Sequence, residues 1–147
     1  MRIAIGSDHA GFEGPGTPYK PAMMTHLEAR GHEVIDCGTD GPESVDYPDF
    51  AENVCKSILG DEADCGVLMC GTGIGVAIAA NRHAGIRAAT CATPDMARLS
   101  REHNNANVIC LGRRILSLDE CLHLIDVWLD TPFSGAERHE RRVRKMG

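Results

Sequence analysis

Gly66-Val67-Leu68-Met69-Cys70-Gly71-Thr72-Gly73-Ile74-Gly75 is the stretch that decides how this chain is read. Its first half is an apolar run of the kind found in a strand covered on both faces of a parallel sheet. Its second half turns through glycines into Ile74–Asn81, a segment with a helical pattern. Moving outward, short apolar runs and longer amphipathic segments keep alternating. Further strands are predicted at Ile3–Gly6, Glu33–Asp36, Arg87–Cys91 and Asn107–Leu111. Further helices are predicted near Lys20–Arg30, Asp49–Leu59, Pro94–His103 and Leu118–Leu129. The helix signals have a mechanism. Thr93 is an N-cap with Pro94 at the first helical position. Ser117 and Glu120 have capping-box spacing, and Gly31 follows Arg30 as a C-terminal stop.

Strand-helix alternation predicts the α/β class: a single Rossmann-like three-layer domain over residues 1–147, with a five-stranded parallel sheet flanked by helices and right-handed crossovers. The chain shows no internal repeat and no linker. Gly14 to Pro21 is rich in Gly and Pro, so an extended loop is expected there until about Lys20. Ligands of such sheets gather at the carboxyl ends of the strands. That rule draws attention to Ser7–Phe12, Cys37–Pro48, Cys70–Gly75 and Ala92–Asp95.

With 147 residues, 43% of them apolar, the chain can bury a core. No apolar run approaches the ~20 residues a membrane helix needs, and Met1 to Gly6 has no signal-peptide layout, so no membrane association and a cytoplasmic location are expected. A formal charge of −6 gives no support to a nucleic-acid partner. Seven cysteines, an odd number with no Cys-x-x-Cys pair, argue against a disulfide framework or a zinc site. Most sit in apolar stretches and read as small buried hydrophobes.

Cys70 differs because it stands where strand becomes glycine loop. Glycines allow close backbone approach to a ligand, and N–H groups freed at a helix start favour negative charge. Three familiar loops fail on spacing. A dinucleotide fingerprint needs glycine where Val76 stands, a P-loop needs Gly-Lys-Ser/Thr, and a cysteine phosphatase wants an arginine where Val76 and Ala77 stand. There remains a cysteine placed to serve as base or nucleophile; locally, a structural cysteine ending a buried strand fits equally well. Asp8 and His9 follow the first strand at the same edge. His103, Asn104 and Asn105 close a predicted helix, where they suit either C-capping or proton transfer. Arg114 follows the fifth strand. Arg138 and Arg142 are four apart, so on a helix they share a face that suits a phosphate or lies in solvent. A base, an anion-stabilising loop, histidines and arginines form the inventory that aldose–ketose isomerisation of a sugar phosphate requires, with no metal or organic cofactor.

Six separated stretches, Gly6–Phe12, Asp46–Pro48, Cys70–Gly75, Ala79–Asn81, Ser100–Asn104 and Arg138–Val143, together resemble ribose-5-phosphate isomerase type B in order and spacing over nearly the whole chain. The resemblance implies Cys70 as the proton-abstracting base and His103 as the residue assisting ring opening. It implies that Gly71, Gly73, Ile74 and Gly75 belong to a loop donating N–H groups to an enediolate, with Thr72 adding its side chain. It further implies substrate contacts from Asp8, His9, Asn104, Arg114, Arg138 and Arg142. The family's sites form between subunits, so a homodimer or dimer of dimers is implied, with residues 131–147 reaching the partner. Some members carry a glutamate base in the loop's helix. Here Val76, Ala77, Ile78 and Ala79 offer no carboxylate, which indicates the cysteine variant. The Gly14–Pro21 stretch is about five residues longer than the family pattern.

The leading expectation is interconversion of ribose 5-phosphate and ribulose 5-phosphate. Its rivals are isomerisation of allose 6-phosphate or galactose 6-phosphate, and a non-catalytic sugar-phosphate sensor on the same fold. The sensor has no need of Cys70, Thr72 and His103 together.

Overall fold

A computed structural model describes all 147 residues. Five strands, β1 (Arg2–Ser7), β2 (Glu33–Asp36), β3 (Cys65–Cys70), β4 (Ala88–Thr90) and β5 (Val108–Gly112), form one sheet in the order β2-β1-β3-β5-β4. All four pairings are parallel. Six helices accompany them: α1 (Tyr19–Ala29), α2 (Tyr47–Leu59), α3 (Ile74–Ala80), α4 (Pro94–Asn104), α5 (Leu118–Asp130) and α6 (Glu137–Met146). The predicted α/β architecture is the observed one. A short 3₁₀ turn at His9–Phe12 and the last helix were not among the predicted elements.

Period-two alternation explains why the sheet is covered on both faces. Ile3, Ile5, Val67, Met69, Ile109 and Leu111 point to one side and pack with Met23 and Leu27 of α1, Ala97 of α4, and Leu124, Ile125 and Trp128 of α5. Ala4, Leu68, Cys70, Val108 and Cys110 point to the other and meet Ala51, Val54 and Cys55 of α2 and Val76, Ala77 and Ala80 of α3. The strands at the centre must therefore be apolar throughout, which is what the sequence pattern recorded.

The helix ends follow the expected chemistry. Thr93 Oγ1 accepts from the Met96 N–H at 3.2 Å. Ser117 and Glu120 form a reciprocal capping box. Gly31, just beyond α1, takes φ +82°, a left-handed conformation that costs glycine little. One feature has no sequence signature: Lys20 of α1 is 2% exposed. Its ammonium lies 2.6 Å from Asp36 Oδ1 and donates to the Thr39 carbonyl at 2.8 Å. It also sits 5.7 Å from the centre of the Phe12 ring. A charge removed from water in this way needs such partners, and they tie the end of β2 and the 3₁₀ turn to α1.

Candidate active site

The strand order places the chain's reversal of direction at β1, since β2 lies on one side of it and β3 on the other. The loops after β1 and β3 diverge there and open a crevice. It has a volume of about 480 Å³ and is lined by Asp8, His9, Tyr47, Cys70, Gly71, Thr72, Ile74, Gly75, Ile78 and Arg114.

Each wall has a local cause. Asp8 is buried and caps the 3₁₀ turn, its Oδ1 accepting from the Ala10 N–H at 2.9 Å. His9 Nδ1 accepts from the Val45 N–H at 3.2 Å, which places the proton of the neutral ring on Nε2. Cys70 ends β3 with 4% of its surface exposed, and its Sγ accepts from the Gly73 N–H at 3.2 Å. Thr72 Oγ1 accepts from the Ile74 N–H at 3.3 Å. Gly73, expected to meet substrate, does not line the crevice; it packs against the backbone of β5. It has φ +78°, and a Cβ there would lie 2.9 Å from the backbone carbon of Leu111. A Cβ on Gly112 would lie 2.7 Å from the Thr72 carbonyl. The loop after β5 is tied to this one by the Arg113 N–H to the Cys70 carbonyl, 3.0 Å, and the Arg114 N–H to the Gly71 carbonyl, 2.9 Å. These bonds hold the Arg114 side chain against Gly71.

The other six thiols lie outside this crevice. Burial pushes Cys55, Cys65 and Cys91 up to about 11 and Cys121 up to about 12. Burial likewise raises Cys37 and, more strongly, Cys110.

The remaining predicted residues lie elsewhere. Helix α4 starts after β4 and runs back to Asn104, just ahead of β5, so His103 and Asn104 sit at the amino edge of the sheet. Cys70 and His103 are thus separated by the length of a strand, on the order of 15 Å. Helix α6 docks at that far edge. The Ser134 N–H donates to the Glu102 carbonyl at 3.1 Å, and the His103 and His139 rings have centroids 4.2 Å apart. Arg138 and Arg142 flank His139 on the same helix. Asn104 lines a separate groove with Asn81, Ile86, Arg87, Ala88 and Met146. One chain therefore carries the expected site residues in two groups on opposite edges. Between these two groups runs the outer face of α3, where Ile74 and Ile78 are 55% and 57% exposed.

The sequence reading missed three residues here. Tyr47 lines the crevice, its ring so close to Gly75 that a Cβ there would lie 2.6 Å from the Tyr47 Cζ. It stands in the quoted Asp46–Pro48 stretch, which was the available signal. His139 likewise stands in the quoted Arg138–Val143 stretch, whereas Glu13 had no signal, since it is defined by its contact with the distant Arg114.

His139 gives the docking of α6 a pH dependence. Its ring is buried, and that burial, followed by the neighbouring His103, Arg138 and Arg142, holds its imidazole below the ordinary 6.5. A histidine depressed in the folded state favours folding in its neutral form. Its contribution is complete above about 6.5 and is lost as the pH falls toward the lowered folded value. Tryptic cleavage within the Arg-rich α6 should therefore accelerate between pH 7.5 and pH 5 relative to an unstructured reference peptide. A His139→Gln variant should lose that acceleration. A wild-type profile parallel to the reference would contradict this account.

Residues 3–146 match the family model for Ribose/Galactose Isomerase, and the chain belongs to that family. The relatives are specific. Ribose-5-phosphate isomerase B of Escherichia coli strain K12 is 45% identical over 145 residues, which is 99% of this chain and 93% of that protein. The solved Clostridium thermocellum ribose-5-phosphate isomerase B superposes with a TM-score of 0.94 at 50% identity, covering 100% of this chain and 95% of that one. The Thermotoga maritima ribose 5-phosphate isomerase gives 0.92 at 53% identity, covering 99% and 96%. No helix is long and apolar enough to cross a membrane.

Proposed function

We propose that this protein interconverts D-ribose 5-phosphate and D-ribulose 5-phosphate through an enediolate. The observation that carries the reading is the convergence of Cys70, Thr72, Asp8, His9 and Arg114 on one crevice in a chain whose close relatives are ribose-5-phosphate isomerases. Cys70, as thiolate, takes the proton from C2 of the open-chain aldose and returns it to C1. The accompanying hydroxyl proton passes from O2 to O1, so the reaction is redox-neutral overall. The Gly73 N–H already donates to Sγ and supports the sulfur while it is charged. N–H groups of the 71–75 loop, with the Thr72 hydroxyl, stabilise the enediolate oxygens.

Ring opening needs a further acid–base group, since in the Cys70 crevice Asp8 caps the 3₁₀ turn and His9 spends Nδ1 on the Val45 N–H. We assign it to His103 of the partner subunit in a homodimer, alone or within a dimer of dimers. Asn104, Arg138 and Arg142 arrive with that histidine and hold the phosphate together with His9 and Arg114. The apolar outer face of α3, between the two half-sites, supports this pairing because association would cover it. Seven free thiols suit a reducing, cytoplasmic setting.

The direct test is turnover of ribose 5-phosphate by the purified protein, with allose 6-phosphate in parallel. Turnover confined to the six-carbon sugar would replace the proposed substrate. Within this scheme Arg142→Ala raises KM for ribose 5-phosphate about tenfold, the weight of one charge-assisted phosphate contact. Its kcat should change little. An unaltered KM would remove α6 from the phosphate site.

A further inference from the structure

The Gly/Pro-rich loop between the 3₁₀ turn and α1 delivers one carboxylate to the crevice wall. Arg114 Nε donates to Glu13 Oε2 at 3.0 Å and Arg114 Nη2 donates to Glu13 Oε1. The guanidinium is therefore engaged along one two-point edge. Glu13 is itself anchored, because its backbone carbonyl accepts from Arg113 Nη2 at 2.9 Å. The Arg113 guanidinium in turn lies 3.9 Å from the centre of the Tyr19 ring. Arg114 is the only arginine lining the crevice, and a Cβ on Gly71 would lie 2.9 Å from its Nη1.

An arginine offers two edges for bidentate recognition of an oxyanion, Nε–Nη2 and Nη1–Nη2; here Glu13 fills the first and takes part of the Nη2 that the second shares. A phosphate dianion reaching Arg114 has to displace the carboxylate or share the guanidinium with it, close to a like charge. We propose that Glu13 is an affinity-setting residue: an internal anion that competes with phosphorylated ligands for Arg114 and raises the concentration needed to fill the crevice. The proposal rests on the reading above that Arg114 meets the substrate's phosphate. It also gives the loop from Gly14 to Pro18 a role, since that loop's path bears on where the carboxylate sits.

Glu13→Gln keeps the shape and one hydrogen-bonding oxygen but removes the charge. Inorganic phosphate is the probe, as a competitive inhibitor of ribose 5-phosphate turnover. The inhibition constant for phosphate and the KM for ribose 5-phosphate should both fall about three- to tenfold in Glu13→Gln, the range set by a partly exposed ion pair. In an Arg114→Ala background the same substitution should have no further effect. An inhibition constant that is unchanged or raised in Glu13→Gln overturns the proposal. So does a fall that persists without Arg114. If Arg114→Ala weakens phosphate while Glu13→Gln changes nothing, the competition fails and the role of Arg114 stands. If Arg114→Ala leaves both constants at their original values, the role of Arg114 and the competition fail together.

Discussion

Cys70→Ala should lower kcat for ribose 5-phosphate by about a thousandfold, within the range a positioned proton-transfer group supplies, while ligand affinity changes little. The reasoning is one of substitutes. Asp8, the only carboxylate lining the crevice, spends one oxygen on the Ala10 N–H. His9 spends Nδ1 on the Val45 N–H. The six remaining thiols lie outside the crevice, and burial holds them largely protonated. Nothing stands ready to take over at the position of Sγ. Removing a group that acts only in the transition state lowers kcat and kcat/KM together. The variant should still be protected by ribose 5-phosphate against thermal unfolding, because its binding groups are intact. A Cys70→Ala enzyme with turnover near that of the original protein would end the base assignment. Iodoacetamide labelling, mapped by peptide mass, provides a second reading: substrate should slow modification at Cys70 and leave the other cysteines unaffected.

The second large effect comes from mixing two inactive proteins. Cys70→Ala and His103→Ala homodimers should each be nearly inert, since each lacks one half-site. When they are unfolded and refolded together, random pairing makes half of the dimers mixed. Each mixed dimer has one crevice with both residues intact and one with neither, so activity should return to about a quarter of that of the unsubstituted protein, given an isologous interface. The placement of α4 motivates this experiment. Its direction relative to the strands carries His103 to the amino edge, while Cys70 stands at the carboxyl edge. If the two residues acted within one chain, mixing would restore nothing.

The sequence announced much of the fold because its strands are covered on both faces. Val67, Leu68 and Met69 are apolar in succession, and each finds a packed neighbour on its own side of the sheet. Thr93, Ser117 and Gly31 marked helix ends through backbone chemistry that operates within four residues, and such local signals can be read in a string. Helix α6 was harder, since Glu137 to Met146 has almost no apolar stripe and its docking depends on His139 meeting His103. The crevice was legible where strand ends supply it, at Asp8, His9 and Cys70 to Gly75. The roles of His103 and the terminal arginines came from resemblance alone, because no periodicity records which edge of a neighbouring chain they approach. Glu13 stayed hidden for a related reason: its partner lies 101 residues away, and an acidic residue beside glycine and proline looks like any solvated loop position. Lys20, at the start of an amphipathic helix, gave no hint that it would be enclosed.

The two backbones that nearly touch at Gly73 and Gly112 bear on how this protein can diverge. Neither glycine contributes a side chain, yet a methyl group at either would have to push main chain on the opposite side aside. The outer surfaces of the helices can accept substitutions one at a time. This junction cannot, because the neighbour in the way is peptide rather than a side chain with somewhere to go. A lineage that changes its sugar would find its variation at the crevice rim, in Tyr47, Ile78 or the Gly/Pro-rich loop, while the glycine junction stays frozen.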